Sequence, residues 1–141
     1  MPTEAHGSPA TTLTIDGSAV EGIDSFYDEI NRVFMVGEDW QLGPSLDALN
    51  DLLYGGYGTL GALEAGESVR VRWRHSAHSR AALGAQATAG YYREKLRRPD
   101  LFRADHFGRL LAELEAGAGP TYFDIVLDVF AQHPRIELDL E

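Results

Sequence analysis

Two short segments of this chain alternate strictly between apolar and charged residues. The segment 69–74 places Val69, Val71 and Trp73 on one face and three arginines on the other, and the segment 136–141 alternates in the same way with acidic residues. Strict alternation predicts β-strands with one face in a core and the other in water. Because a sheet covered by helices on both faces would have continuously apolar strands, the alternation predicts a two-layer fold.

The charges on the polar faces of these two strands are opposite in sign. Arg70, Arg72 and Arg74 belong to the first strand, whereas Glu137 and Asp139 belong to the second. If the strands are neighbours, cross-strand ion pairs would neutralise an open sheet face. This structural interpretation is favoured over the alternative that the arginines form a ligand site.

The first third of the chain adds one more strand and a helix. Residues 12–16 alternate and end at an Asp-Gly turn, which predicts a first strand. An amphipathic helix is expected next, beginning at a cap formed by Asp24 or Ser25 and ending at Gly37.

Helices are also expected between the two charged strands. One long helix is predicted from Ser76 or Ser79 to about Arg98, a further helix over residues 101–114, and a last helix from a capping box at Thr121. Helical connections between consecutive strands favour parallel pairing with right-handed crossovers. The predicted class is therefore α/β, with a small parallel sheet packed against helices.

A short helix over residues 46–54 has two contrasting faces, and Ser45 is its predicted N-cap. Four leucines form one face and should enter the core. Two aspartates one turn apart destabilise such a helix by a few tenths of a kcal/mol, and the helix dipole favours only Asp47, which lies in the first turn. Asp51 therefore reflects either the acidic composition or a recognition face. The polar face carries Asp47, Asn50, Asp51 and Tyr54.

The composition limits the classes of partner and site. Twelve basic and 22 acidic residues give a net charge of −10, which repels nucleic acid and attracts a basic protein. The absence of cysteine excludes disulfides and thiolate chemistry. We find neither an apolar run of bilayer length nor a signal-peptide pattern, so the expected location is the cytoplasm. Residues 1–11 are interpreted as a flexible leader before a single domain over 12–141.

The sequence offers weak support for catalysis, metal or cofactor binding. A G-x-G-x-x-G pattern within residues 55–61 follows a helix instead of a strand, so a glycine-rich surface loop is preferred over a nucleotide site. His75 and His78 lack a recognisable third metal ligand. Asp47 and Asp51 could imitate a glycosidase carboxylate pair, but nothing indicates a sugar cleft. We therefore expect no enzyme, no metal and no cofactor.

In combination, these segments resemble the barstar family, the intracellular protein inhibitors of secreted ribonucleases. The resemblance implies a three-stranded parallel sheet packed against helices, with residues of about 84–119 forming a helical insertion. The segments that carry the resemblance are Ile15-Asp16-Gly17, Gly43 with the run from Ser45 to Leu53, Val69 to Arg74, and Phe123 to Phe130 before the last strand.

The resemblance also implies a function. In barstar-like inhibitors an acidic helix and the preceding loop plug the nuclease active site, with carboxylates in place of substrate phosphate. That role falls here to Asp47 and, above all, to Asp51, and the implied partner is a basic secreted-type ribonuclease or a related nuclease toxin, without direct nucleic-acid or membrane binding. The implied partner-binding residues are Trp40, Gln41, Leu42, Gly43, Asp47, Asn50, Asp51, Tyr54 and Gln132.

Some positions depart from the family pattern. Gln41 and Leu42 stand where aromatic residues are usual, Asn50 where tryptophan is usual, and Gln132 where an acid is expected. These departures bear on the identity of the target. A non-catalytic adaptor that binds another protein through the inserted helices is therefore the alternative function, and a small hydrolase is a distant third.

Overall fold

The computed structural model describes residues 11–64 and 66–141. The predicted leader lies outside the described residues, apart from Thr11, which begins the first strand. A single 3₁₀ turn follows that strand. In chain order the strands and α-helices are β1 Thr11–Asp16, α1 Ile23–Phe34, α2 Leu46–Tyr54, α3 Gly58–Gly61, β2 Val69–Arg74, α4 Ser76–Ala82, α5 Ala85–Leu96, α6 Ala104–Glu115, α7 Tyr122–Ala131 and β3 Ile136–Leu140.

The three strands form one parallel sheet in the order β1-β2-β3. In the register, Trp73 of β2 lies beside Ile15 of β1 and Leu140 of β3. The predicted α/β class and the three-stranded parallel sheet packed against helices are therefore confirmed. Within the described ranges, no helix combines the length and the apolar character needed to cross a membrane.

The core is organised around Trp73 in the central strand. Its ring is fully buried, stacks on Phe26 of α1 at 5.7 Å between centroids, and meets the edge of Phe123 of α7 at 5.2 Å. The indole N–H donates to Oγ of Ser79 at 2.9 Å, and that hydroxyl donates to the carbonyl of Gly17 at 2.9 Å. Three helices and the turn after β1 thus converge on one side chain.

The opposite face of the sheet carries the predicted ion pairs. Arg70 contacts Glu137 at 3.3 Å and Asp139 at 2.9 Å, and Arg72 contacts Glu141 at 2.8 Å. All five side chains are partly solvent-exposed, so solvent screens these pairs and each contributes little to stability. The pairing confirms the structural interpretation of the arginine row.

The prediction of a single long helix after β2 is wrong, since the helix is interrupted between α4 and α5. Gly84 has an extended backbone and serves as the N-cap of α5. The carbonyl of the fully buried Leu83 accepts a hydrogen bond from the backbone N–H of Phe123 at 3.2 Å. This hydrogen bond, made at the interruption, therefore connects the end of α4 to the start of α7.

Three helix starts also differ from the prediction. Gly22, and neither Asp24 nor Ser25, is the N-cap of α1, while the Ser25 hydroxyl accepts a hydrogen bond from the Gly22 N–H at 3.0 Å. The N-cap of α4 is His75, in a left-handed conformation with φ of 53°. The helix predicted over 101–114 begins later, at Ala104.

The glycine-rich segment is not simply a surface loop, because residues 58–61 form the one-turn helix α3. Gly58 is buried with φ of +69°, and a Cβ there would overlap the carbonyl oxygen of Phe34. Its N–H donates to a carboxylate oxygen of Glu38 at 2.8 Å. This segment packs against the end of α1, and the Gly58 N–H is bonded to a carboxylate of the chain itself instead of being free for a phosphate.

Helices α5 and α6 pack against each other as a hairpin with its own apolar cluster around Tyr92 and Leu114. The hairpin is attached to the main core through Tyr122 of α7. The N–H of Tyr122 donates to the Thr88 hydroxyl at 2.7 Å, and its ring meets the edge of Tyr91 at 5.1 Å. These contacts fix the position of α5 relative to α7.

Candidate partner-binding surface

Helix α2 is anchored along one side and capped at both ends. Leu49, Leu52 and Leu53 are buried in the main core, as the spacing predicts. The hydroxyl of Ser45 accepts a hydrogen bond from the Ala48 N–H at 3.2 Å, and Gly55, with φ of +88°, ends the helix. The polar face of α2 is therefore exposed to solvent, while the buried leucine face holds the helix in place.

The two aspartates of that face are free of compensating contacts. Asp47 and Asp51 are exposed, and within the described residues neither forms an ion pair or a hydrogen bond. A carboxylate in this state keeps its full capacity to accept charge-assisted hydrogen bonds from a cationic donor. The helix thus presents two available negative charges one turn apart.

The loop before α2 adds an exposed aromatic ring beside these charges. Trp40 is 45% exposed and packs against Tyr57 at 5.1 Å between centroids. The pKa of Tyr57 is raised, first by its burial and then by the negative charges of Asp51 and Glu38. Tyr57 thus contacts Trp40 and lies within range of the charge of Asp51.

Leu42 occupies a different place from the one that the family resemblance implies. Its side chain is 7% exposed and belongs to the main core. Its backbone N–H donates to Oδ1 of Asn31 at 2.8 Å, and its carbonyl accepts from Nδ2 of the same residue at 3.1 Å. The Leu42 side chain is therefore unavailable to a partner and fixes the loop, whereas Gln41 and Gly43 on either side are exposed.

A histidine that the sequence did not single out lies at the other end of α2. His133 is 5% exposed, its Nε2 lies 2.8 Å from Oδ1 of Asn50, and its ring meets the edge of Tyr54 at 4.7 Å. Burial lowers the pKa of His133. Asn50 is thereby tied to the end of α7, next to the exposed Gln132, while Tyr54 remains 70% exposed.

The described residues do not bring the carboxylates and histidines considered for catalysis or metal binding into one site. A groove of about 300 Å³ does lie beside Asp47, but Asp51 is not among its lining residues. The two carboxylates therefore do not share one cavity, as a glycosidase pair must. His78 contacts Glu21 at 3.1 Å, and the described part of the chain contains no group of three side chains suited to a metal.

The adaptor alternative assigns partner binding to the helices expected as an insertion, whose aromatic residues include Tyr91, Tyr92 and Phe102. Tyr92 is only 2% exposed and packs inside the α5–α6 hairpin, so it is unavailable to a partner. Tyr91 and Phe102 are half-buried and line the groove beside Asp47. The partly exposed aromatic residues of the hairpin, Tyr91 and Phe102, therefore lie next to helix α2.

Comparison with protein families agrees with the fold and with the acidic helix. A family model described as barstar (barnase inhibitor) matches residues 10–91, which is more than half of the chain. Neither the comparison with curated proteins nor that with solved structures gave a match. The matched part contains β1, α1, α2 and β2, and the named activity of the family is inhibition of an enzyme. The chain belongs to the barstar family.

Proposed function

We propose that this protein inhibits a basic ribonuclease by placing the polar face of α2 in the active site of the nuclease. The observation that carries the proposal is that Asp47 and Asp51 are exposed and form no ion pair with the described residues, on a helix whose other face is buried. A rigid helix presents these charges without the entropy cost of ordering a loop on binding.

The chemistry of a ribonuclease site suits this face. A site that binds phosphate presents cationic and N–H donors, and a carboxylate accepts the same hydrogen bonds while offering no bond to cleave. The net charge of −10 adds attraction toward a basic partner over a longer range. We propose a secreted-type ribonuclease or a related nuclease toxin as the target, and the cytoplasm as the place of inhibition.

Two exposed aromatic side chains belong to the same candidate surface. Trp40 packs on Tyr57 in the segments that flank α2, and Tyr54 ends the helix. Tryptophan and tyrosine are enriched among the residues that dominate binding energy at protein interfaces. We propose that these two rings enclose the central ion pairs and exclude water from them.

The test is inhibition of a panel of purified basic ribonucleases, including barnase. The Asp51→Ala variant should raise the inhibition constant by about tenfold to a hundredfold, since a hydrogen bond to a charged group contributes about 1.5–3 kcal/mol. The Asp47→Ala variant should act in the same direction. Asp28→Ala is the matched control, because it removes one exposed charge from α1, away from the proposed face.

Two results would contradict the proposal. One is an absence of inhibition across the whole panel by the folded wild-type protein. The other is inhibition that Asp51→Ala weakens no more than Asp28→Ala, which would leave only the net charge as the cause.

A further inference from the structure

The groove beside Asp47 joins the acidic helix to the α5–α6 hairpin. Its walls are the first turn of α2 on one side and the rings of Tyr91, Phe102 and Phe107 on the other. At about 300 Å³ it is at the lower limit for a small-molecule site. A groove of this size and aromatic character suits a few side chains of a protein partner.

Lys95 gives the groove a positive charge, whereas the protein as a whole is acidic. It is the single lysine of the sequence, and its ammonium lies 4.0 Å from the ring centroid of Phe102 and 5.1 Å from that of Tyr91. Within the described residues it forms no ion pair. The rings hold the ammonium in place while its N–H groups remain available to an acceptor.

The groove is continuous with the proposed inhibitory face but extends beyond the part of the chain that the family model matches. Asp47 belongs to both the face and the groove. Lys95, Phe102 and Phe107 all follow residue 91, where the family match ends. A partner seated on α2 would therefore meet the hairpin, and the hairpin supplies contacts that the matched region lacks.

We propose that this groove is a second contact site for the same ribonuclease and that it determines which ribonuclease is bound. The occupant is a surface loop of the nuclease that carries an apolar side chain for the aromatic rings and an acidic side chain for Lys95. The inference rests on the proposed function. Opposite charges at Asp47 and Lys95 would fix the orientation of the loop, since its acidic side chain would be attracted by Lys95 and repelled by Asp47.

The single lysine allows a direct test by chemical labelling. The complex with the most strongly inhibited ribonuclease of the panel is treated with an amine-acetylating reagent, and acetylation of Lys95 is measured by mass spectrometry. Acetylation of Lys95 should fall at least fivefold in the complex relative to the free protein. The α-amino group of the same chain is the internal reference for reagent activity.

A charge reversal tests the acidic occupant separately. Lys95→Glu should weaken binding at least tenfold, whereas Arg109→Glu, which makes the same change in net charge on an exposed position of α6, should weaken it less than threefold. Lys95→Gln removes the charge without introducing repulsion and should give an intermediate loss. Thermal unfolding of each variant, compared with the wild type, checks that the hairpin remains folded.

The outcomes separate this inference from the proposed function. Binding that Asp51→Ala weakens, with Lys95 fully labelled in the complex and Lys95→Glu no worse than Arg109→Glu, overturns the second contact site alone. An absence of binding to any ribonuclease of the panel overturns both.

Discussion

His133 links the two helices whose ends form one edge of the candidate surface. Its ring nitrogen is bonded to Asn50 of α2, although it belongs to the segment that follows α7. The ring also supports the exposed Tyr54. A charge on this buried ring would lie in an unfavourable environment, which is the reason that its pKa is lowered.

We predict that stability decreases as the pH falls through the range of histidine titration. Because the pKa of His133 is lower in the folded protein, the unfolded chain binds the proton more readily. This contribution to stability is complete above the unfolded pKa of about 6.5 and is lost progressively below it. Urea unfolding at pH 8, 7, 6 and 5.5 measures the effect.

Two histidine variants assign the effect to its source. His133→Gln should flatten the pH dependence between 8 and 5.5, because it removes the group with the lowered pKa. His106→Gln, at an exposed position of α6, should leave it unchanged. A dependence that both variants retain would mean that another group is responsible.

At the scale of elements, the one-turn helix α3 connects α2 to the end of α1. Gly58 has a left-handed conformation, and Phe34 blocks the space that a side chain would need. Gly58→Ala should therefore destabilise the fold by about 2–5 kcal/mol, from the backbone strain and the overlap together.

Gly37 provides a matched control for this prediction. It has φ of +88°, but nothing lies within 4 Å of the place that its Cβ would take. Gly37→Ala should cost only the strain, about 1–2 kcal/mol. Equal losses of unfolding free energy in urea for the two variants would contradict the role assigned to packing at Gly58.

The elements that could be predicted are those with local signals. The alternation in β2 and β3 and the capping box at Thr121 depend only on neighbouring residues, and the structure contains all three. The break at Gly84 could not be predicted, because a hydrogen bond from Phe123, far along the chain, stabilises it. Helix α3 escaped prediction for a similar reason, since its glycines fit against α1.

The candidate site also contains some features that local sequence patterns predict and others that they do not. Helical spacing placed Asp47 and Asp51 together on the exposed face of α2, and the structure shows that arrangement. His133 carries no motif, and its bond to Asn50 joins residues far apart in the sequence. The groove around Lys95 also depends on the position of the α5–α6 hairpin beside α2. Contacts of this kind follow from the tertiary fold and have no local pattern.

At the scale of the whole molecule, the charges are distributed unequally. On the open sheet face, Arg70 and Arg72 are paired with acidic neighbours on β3 and at Glu141. The carboxylates of α2 have no such partners among the described residues. The net charge of −10 attracts a basic partner to the molecule as a whole, and the proposed α2 face would offer that partner two of the exposed carboxylates.

The central claim is that the α2 face occupies the active site of a ribonuclease, and competition with an active-site ligand tests it most directly. The inhibition constant for the most strongly inhibited ribonuclease is measured at increasing concentrations of a dinucleotide substrate. We predict competitive inhibition, in which the apparent constant rises in proportion to the substrate above its KM. An apparent constant that does not change with substrate concentration would place the inhibitor outside the active site and contradict the account.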